Sequence, residues 1–480
     1  MVKSRKFLWT IIAFITIAQC IQLNHWAYFG APINSYDIPK AFLEYEEIFQ
    51  AGASQAHILW KVWLAQVLSL ILMIVGVLGS KKCRHFPFMW LVVLIALALN
   101  PVLFYIRGPQ LFYTKPISST IHNTLRAFSS WIVDSQRKTR NFNYKPYQIT
   151  YSSPKVKNVV LIMGESLSSR YMQLYGYKKP NTPFLEKLKN DPNFAYTKGV
   201  SSSVDTLTGL QLFFNNVHNI GAIDLIRDKS ANLFRIARHQ GYKTFLLSAQ
   251  GEGLFNEVGT QFIDVYSFKN DLLKSLRQKG DEALFDSLEQ FKFEDRNFIV
   301  IHVRHVHEPY SNWEKYFPKT EAKNALESRE NQTKSEYSHA ICYHDHWVKQ
   351  CITHIKRILP NDTIVIFTSD HGQLVGEDNL FGHNLMRPEV ADVPVWSYTI
   401  KADMALNNYI KTQLVCSHYD LTKQIAKLFG AEILNPNEDP VLQFVHGTEL
   451  HADYVFMPWK KVNGREKFLK LEQIGVTAKQ

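Results

Sequence analysis

Asn158-Val159-Val160-Leu161-Ile162-Met163-Gly164-Glu165-Ser166 decides the fold. Its apolar, β-branched core is unbroken by any polar residue and ends at a glycine. A short run of this kind, apolar at every position, reads as a strand buried on both faces. Val156–Met163 is therefore assigned as a strand, with Glu165 delivered just past its carboxyl end. Two further stretches repeat the design. Thr363–Thr368 ends in Ser369-Asp370-His371-Gly372, and Phe298–Val303 carries His302, with His305 and His307 close behind. Thr244–Ser248 is a fourth run of the same type. Helical patterns lie between them at Ala231–His239, Glu282–Phe291 and His339–Ile358. Strands alternating with helices predict an α/β fold: a mostly parallel sheet flanked by helices. In such sheets chemistry collects at the carboxyl ends of the strands, where these polar residues fall.

Upstream the character changes. Three apolar segments, Phe7–Leu23, Ile58–Leu78 and Phe86–Tyr105, each approach the ~20 residues that a helix needs to cross a bilayer. Lys3, Arg5 and Lys6 precede the first, and Lys81, Lys82 and Arg84 separate the second from the third. Asp37, Glu44, Glu46 and Glu47 lie between the first two. The positive-inside rule then makes the N-terminus and the 81–85 turn cytoplasmic. Three crossings put everything beyond about residue 106 on the other side. The expected organisation is a transmembrane region of three helices over 1–106, a linker and surface helix over 107–149, and a catalytic domain over 150–480. The whole chain of 480 residues carries a net charge of +11. It has no long Lys/Arg run and no nucleic-acid motif, so an anionic membrane surface is the simpler partner. Five cysteines are scattered without a CxxC pair or a disulfide framework.

Carboxylate oxygen and imidazole nitrogen are ligands for a divalent ion such as zinc or manganese. Glu165, Asp370 and His371 form such a set. Each alone has a bland reading as a cap, a turn or a core histidine. Their joint delivery at strand ends does not.

The sequence resembles the phosphoethanolamine transferases that decorate lipopolysaccharide, within the alkaline-phosphatase/sulfatase superfamily. The resemblance covers about residues 150 to 460. It is carried by NVVLIMGESLSSRYMQLYGYKKPNTPFL from Asn158, SVDTLTGLQLFF from Ser203, GYKTFLLSAQ from Gly241, HVRHVHEPYSNWEKYFP from His302, YSHAICYHD from Tyr337 and TSDHGQLVGEDNLFGHN from Thr368. It implies an alkaline-phosphatase/sulfatase-like sheet and an N-terminal transmembrane region in the inner membrane of a Gram-negative bacterium, with the catalytic domain in the periplasm. It implies metal ligands at Glu165, Thr206, Asp370 and His371, with Thr206 as nucleophile. It gives His307 and His383 catalytic or phosphate-binding roles, and it makes Gln250 a substrate contact. His302 is expected to bind substrate as well. The implied donor is phosphatidylethanolamine, and the implied acceptor is lipopolysaccharide, at lipid A phosphate or a core sugar, with a periplasmic glucan also open. A threonine hydroxyl is a weak nucleophile, and a divalent cation, most simply zinc, eases loss of its proton. A phosphoethanolamine–threonine intermediate is expected.

Ser203 and Thr208 are the rivals to Thr206. Gln373 follows the Asp-His-Gly where the family often has Glu. No cysteine lies between Ser201 and Phe214, where many members place a disulfide. The family commonly has five transmembrane segments where this sequence offers three. A phosphoglycerol transferase or another hydrolase of the same superfamily, acting on an envelope glycan, is the alternative. A true sulfatase would need a C/S-x-P-x-R segment, which is absent near Thr206. His307-Glu308-Pro309 and the Y-x-x-x-I-x-Y-x-D pattern of Tyr337–Asp345 favour phosphoethanolamine transfer.

Overall fold

The structure is a computed structural model. It describes residues 2–30, most of 32–79, 120–136, 144–310, 328–447 and 456–470, with scattered positions between 91 and 102. The chain divides into two compact units, 1–138 with 377–381, and 139–376 with 382–480.

In the first unit, helices Val2–Phe29 and Ala56–Gly79 contain the first two apolar segments. Leu8–Phe29 and Leu59–Gly79 are long and apolar enough to cross a membrane by length and composition. On the second, Leu64, Leu68, Leu72 and Val75 are exposed, Leu72 by 72%. Water does not tolerate such a face at this density, whereas lipid does. Polar side chains meet between the two helices: Trp63 Nε1 donates to Asn24 Oδ1 at 2.8 Å, and Ser69 Oγ to Gln19 Oε1 at 3.4 Å. The third predicted segment, Phe86–Tyr105, and its basic turn lie largely outside the described residues. Within the expected linker, Thr120–Gln136 forms a helix.

The second unit is built on an eight-stranded sheet. Its strands are β1 (Asn158–Gly164), β2 (Phe194–Val200), β3 (Lys243–Ser248), β4 (Val265–Ser267), β5 (Asn297–His302), β6 (Thr363–Ser369), β7 (Asp392–Ile400) and β8 (Val415–Ser417). The spatial order is β8-β2-β7-β6-β1-β5-β3-β4. All pairings are parallel except those of β7, which runs antiparallel to both β2 and β6. Every residue of β1, β5 and β6 is buried. Val159, Leu161 and Met163 point into one apolar layer with helices Thr206–Phe214, Leu233–His239 and His418–Leu428. Val160 and Ile162 point into the other, with Ala283–Glu289 and Arg329–Ile358. The continuous apolar reading of β1 thus reflects two covers, as a parallel sheet requires.

Beyond this sheet, β9 (Gln443–His446), β10 (Phe456–Val462) and β11 (Arg465–Phe468) form a small antiparallel sheet. His446 of β9 bridges to Ser203, just ahead of the proposed nucleophile.

Candidate functional site

The central strands end together. Gly164 pairs with Ser369 and Met163 with His302, so Glu165, Asp370 and His302 leave the sheet at one level. A ligand atom from each of these three lies within 4.8 Å of the others, and all three residues are buried. Backbone geometry fixes the carboxylates. Ser166 adopts a left-handed φ of 57° and donates its N–H to Asp370 Oδ1 at 3.1 Å, while its hydroxyl donates to Glu165 Oε1 at 2.8 Å. The Asp-His-Gly turn needs its glycine: a Cβ on Gly372 would lie 2.7 Å from the carbonyl oxygen of Asp392.

Thr206 arrives from a different part of the chain. It opens helix Thr206–Phe214, whose N-cap, Asp205, accepts the N–H of Thr208 at 3.1 Å. Thr206 Oγ1 stands 3.1 Å from Glu165 Oε2 and 3.2 Å from His371 Nε2. Ser203 is turned elsewhere, since its hydroxyl donates to the Gly447 carbonyl at 2.9 Å. His371 Nε2 lies 3.3 Å from Glu165 Oε1 and 3.5 Å from Asp370 Oδ2.

Electrostatics here are strained. Burial pushes the Asp370 carboxyl up to about 8, and the charge of Glu165 adds to that. Burial alone would lower His371, but Asp370 and Glu165 outweigh it and raise the imidazole to about 9. Burial raises Glu165 too, yet its hydrogen bond and attraction to His371 hold it well below the usual carboxylate range. Asp370 Oδ2 is buried and accepts no hydrogen bond. Two carboxylates this close, one with an unsatisfied oxygen, fit a divalent cation: its charge offsets their repulsion and it supplies the missing partner.

The other expected residues surround this centre. Gln250 Nε2 donates to Glu165 Oε2 at 2.6 Å and lies 3.4 Å from His302 Nε2. His302 Nδ1 is 3.1 Å from Ser248 Oγ, and burial lowers this imidazole to about 4, keeping it neutral. His302, expected as a substrate contact, thus sits among the carboxylates. The His383 ring packs 4.4 Å from His371 and 5.9 Å from His307. All the residues read as site residues therefore converge on one edge of the sheet.

Three groups escaped the sequence reading. Ser166 was missed because no pattern marks a serine that must be left-handed. Gln373, read only as a departure, orients His383: its Oε1 lies 3.1 Å from His383 Nδ1, and its amide donates to Tyr310 Oη at 2.7 Å. Asp281 accepts the backbone N–H of Arg304 and of His305 and lies 3.0 Å from His305 Nδ1. His305 Nε2 in turn lies 2.8 Å from His344 Nδ1. This buried chain ties down the loop that carries His302 and His307.

The sulfatase family profile matches residues 157–431. Over 273 residues the chain is 26% identical to the Kdo(2)-lipid A phosphoethanolamine 7''-transferase of Escherichia coli, covering 52% of this chain and 46% of that protein. Over 247 residues it is 28% identical to phosphoethanolamine transferase EptC of the same species, covering 47% and 41%. The chain thus spans about half the length of the curated relatives it matches. The integral membrane protein lipooligosaccharide phosphoethanolamine transferase A of Neisseria meningitidis shares its fold, with a TM-score of 0.59 at 17% identity over 88% of this chain and 84% of that one. The alkaline-phosphatase-like sheet and the similarity to phosphoethanolamine transferases, both expected from sequence, are borne out. Matched over more than half of its length, the chain belongs to the sulfatase family.

Proposed function

We propose that this chain is a divalent-metal-dependent transferase. It would move phosphoethanolamine from phosphatidylethanolamine to lipopolysaccharide, on lipid A or core, through a covalent intermediate on Thr206. The observation that carries the reading is the position of Thr206 Oγ1, 3.1 Å from Glu165 Oε2 and 3.2 Å from His371 Nε2. The names of its relatives supply the transferred group and the acceptor class. Residues 150–480 form the catalytic domain, and residues 1–106 anchor it in a bacterial inner membrane with the site on the periplasmic side, joined by the 107–149 linker. Both proposed substrates are lipids, so a membrane tether raises their local concentration.

Glu165, Asp370 and His371 would hold the cation, with Thr206 and His302 within reach. Zinc suits this mixed oxygen and nitrogen set best. When bound, the cation supplies Lewis-acid stabilisation of developing negative charge. The chain does the rest. Thr206 points its hydroxyl at Glu165, which orients it, and with the cation in place the hydroxyl proton is lost to solvent. Its place at a helix N-terminus adds partial positive charge beside the oxygen. The threonine oxygen forms a bond to phosphorus while the bond from phosphorus to the glycerol oxygen of the lipid breaks. His307 or His383 protonates that oxygen, and diacylglycerol departs. The acceptor oxygen then attacks the same phosphorus, and the Thr206 oxygen leaves and recovers its proton. Gln250 and His302 line the phosphoryl position.

The test is mass spectrometry of lipopolysaccharide from cells making the wild-type chain or Thr206→Ala. The wild type is expected to add one phosphoethanolamine mass that the variant does not. Identical glycolipids in both strains would refute the assignment.

A further inference from the structure

The β10–β11 hairpin breaks a rule of sheet design. Lys460 stands directly opposite Lys467, and Val462 opposite Arg465. Side chains two apart along a strand share a face, so Lys460, Lys467 and Arg465 form one cationic cluster. Like charges in direct cross-strand register destabilise a hairpin. Among the described residues none of the three has an acidic partner. Arg465 and Lys467 are exposed, and Val462 between them is 39% exposed.

The opposite face of the same hairpin is built differently. Trp459 is buried against Phe468, with ring centroids 6.3 Å apart. Lys461 lies on that face and, though exposed, pairs with Asp420 of helix His418–Leu428 at 2.8 Å. That cation is thus neutralised, while Lys460, Arg465 and Lys467 are left with their repulsion.

This face is also joined to the catalytic segment. In β9 of the same sheet, His446 donates its N–H to Ser202 O at 2.8 Å and accepts that of Val204 at 3.0 Å. Thr206 follows two residues later. His446 faces Phe456 in β10, and Lys460 lies four residues farther along that strand, so at about 3.3 Å per residue and about 4.8 Å per strand the cluster stands roughly 14 to 22 Å from His446.

We propose that Lys460, Arg465 and Lys467 form a docking face for phosphate groups of the acceptor glycolipid, remote from the phosphoryl group being transferred. The proposal rests on the lipopolysaccharide reading above and deepens it: the acceptor is selected as a polyanion. Phosphate oxygens between the two lysines replace their repulsion with attraction to a shared anion. A bilayer of anionic phospholipid offers the same charge. However, the cluster belongs to the sheet whose β9 strand is hydrogen-bonded through His446 to the nucleophile's own segment, which favours the acceptor.

The experiment uses the full chain in nanodiscs of neutral lipid. It measures binding of lipopolysaccharide with its phosphates intact or chemically removed, and steady-state transfer alongside. The variants are Lys467→Glu and the triple Lys460→Gln/Arg465→Gln/Lys467→Gln. Lys467→Glu should leave thermal stability unchanged or raised, because it gives Lys460 an opposite charge across the hairpin. It should also weaken binding of the phosphorylated acceptor by about tenfold, the sum of a few exposed ionic contacts. The acceptor KM should rise to match, with kcat and acceptor-free hydrolysis of the donor unchanged. The dephosphorylated acceptor should bind wild type and variants alike. Equal binding of phosphorylated acceptor by wild type and both variants overturns the docking face. So does an effect that appears only when anionic phospholipid is put into the nanodisc, which would assign the face to the bilayer. Phosphate-dependent binding lost in the variants, with no transfer by the wild type, upholds the docking face and instead sinks the transfer reaction.

Discussion

Two buried polar regions of the second unit solve opposite problems. At the carboxyl ends of β1 and β6, Glu165, Asp370 and His371 crowd together and keep charge in a dry site. Around β9, His218 and His446 are also buried; His218 lies 4.1 Å from the Tyr419 ring, and His446 Nε2 is 3.2 Å from the His218 carbonyl oxygen. Burial lowers each of these two imidazoles from 6.5 to about 4. Neither nitrogen of His218 makes a hydrogen bond. The first region holds its charge because its groups answer one another and a cation can complete them. The second holds polar groups only by keeping them neutral. The crowded carboxylates at the ends of β1 and β6 therefore differ from a merely tolerated buried polar group.

The sharpest break between the regions comes from Asp370→Asn. Transfer should fall on the order of a thousandfold, the scale of losing one preorganised electrostatic group. The metal-free variant should nonetheless melt higher than the metal-free wild type at neutral pH, since the wild-type carboxyl, pushed up to about 8, must take up a proton on folding and an amide need not. Activity assay and thermal melt together check both signs, and a fall in both would remove the contrast.

The next effect is on the acid side. Between pH 6.5 and 4 the unfolded chain protonates His218 and His446 while the folded chain does not. Their stabilisation is present above 6.5 and lost as pH falls toward 4, by roughly 3 kcal/mol each. Denaturant melts across that range should show the loss with or without metal.

The carboxylate region works the other way in the metal-free chain. Asp370 and His371 are both raised, so their contributions are lost as pH rises, that of Asp370 from 3.8 through about 8 and that of His371 from 6.5 through about 9. Metal-free protein should therefore also weaken on the alkaline side. Zinc at about a hundred times its Kd should restore about 2.7 kcal/mol there and remove that limb while leaving the acid limb. Chelation followed by melting at several pH values tests this.

The smallest effect belongs to His218→Phe. Removing a buried imidazole without partners should stabilise the fold by ~1 kcal/mol and shrink the acid limb, with transfer unchanged. A destabilised variant would mean that the pocket needs its nitrogens.

The parts of this architecture that were legible share one trait. β1, β5 and β6 are buried on both faces, so their sequences are apolar throughout and their ends stand out. Asp370 and Glu165 were readable because each follows such a run directly. β7 was not recognised as a strand. Asp392-Val-Pro-Val-Trp-Ser-Tyr-Thr-Ile interleaves polar residues and holds Pro394, which argues against a central strand. Yet all nine residues are buried, with Ser397 Oγ donating to Asn407 Oδ1 at 2.7 Å and the Tyr398 hydroxyl to Asp191 at 3.0 Å. Tertiary partners satisfy what local propensity disfavours. The β10–β11 hairpin escaped for a related reason: its outward face is charged on both strands, and its meaning lies in a register that no single strand displays. Thr206 was singled out by resemblance alone, since nothing in Asp-Thr-Leu-Thr shows that the helix end comes to lie against Glu165.

β7 has one more consequence. It is the strand that sits between β2, which leads into Thr206, and β6, which delivers Asp370 and His371. Its partner residues in β2 lie about two hundred positions earlier: Asp392 faces Val200, and Tyr398 faces Phe194. β7 is thus the strand through which the segment leading to Thr206 and the turn carrying Asp370 and His371 share one sheet, so a change that loosens β7 loosens the alignment of the two.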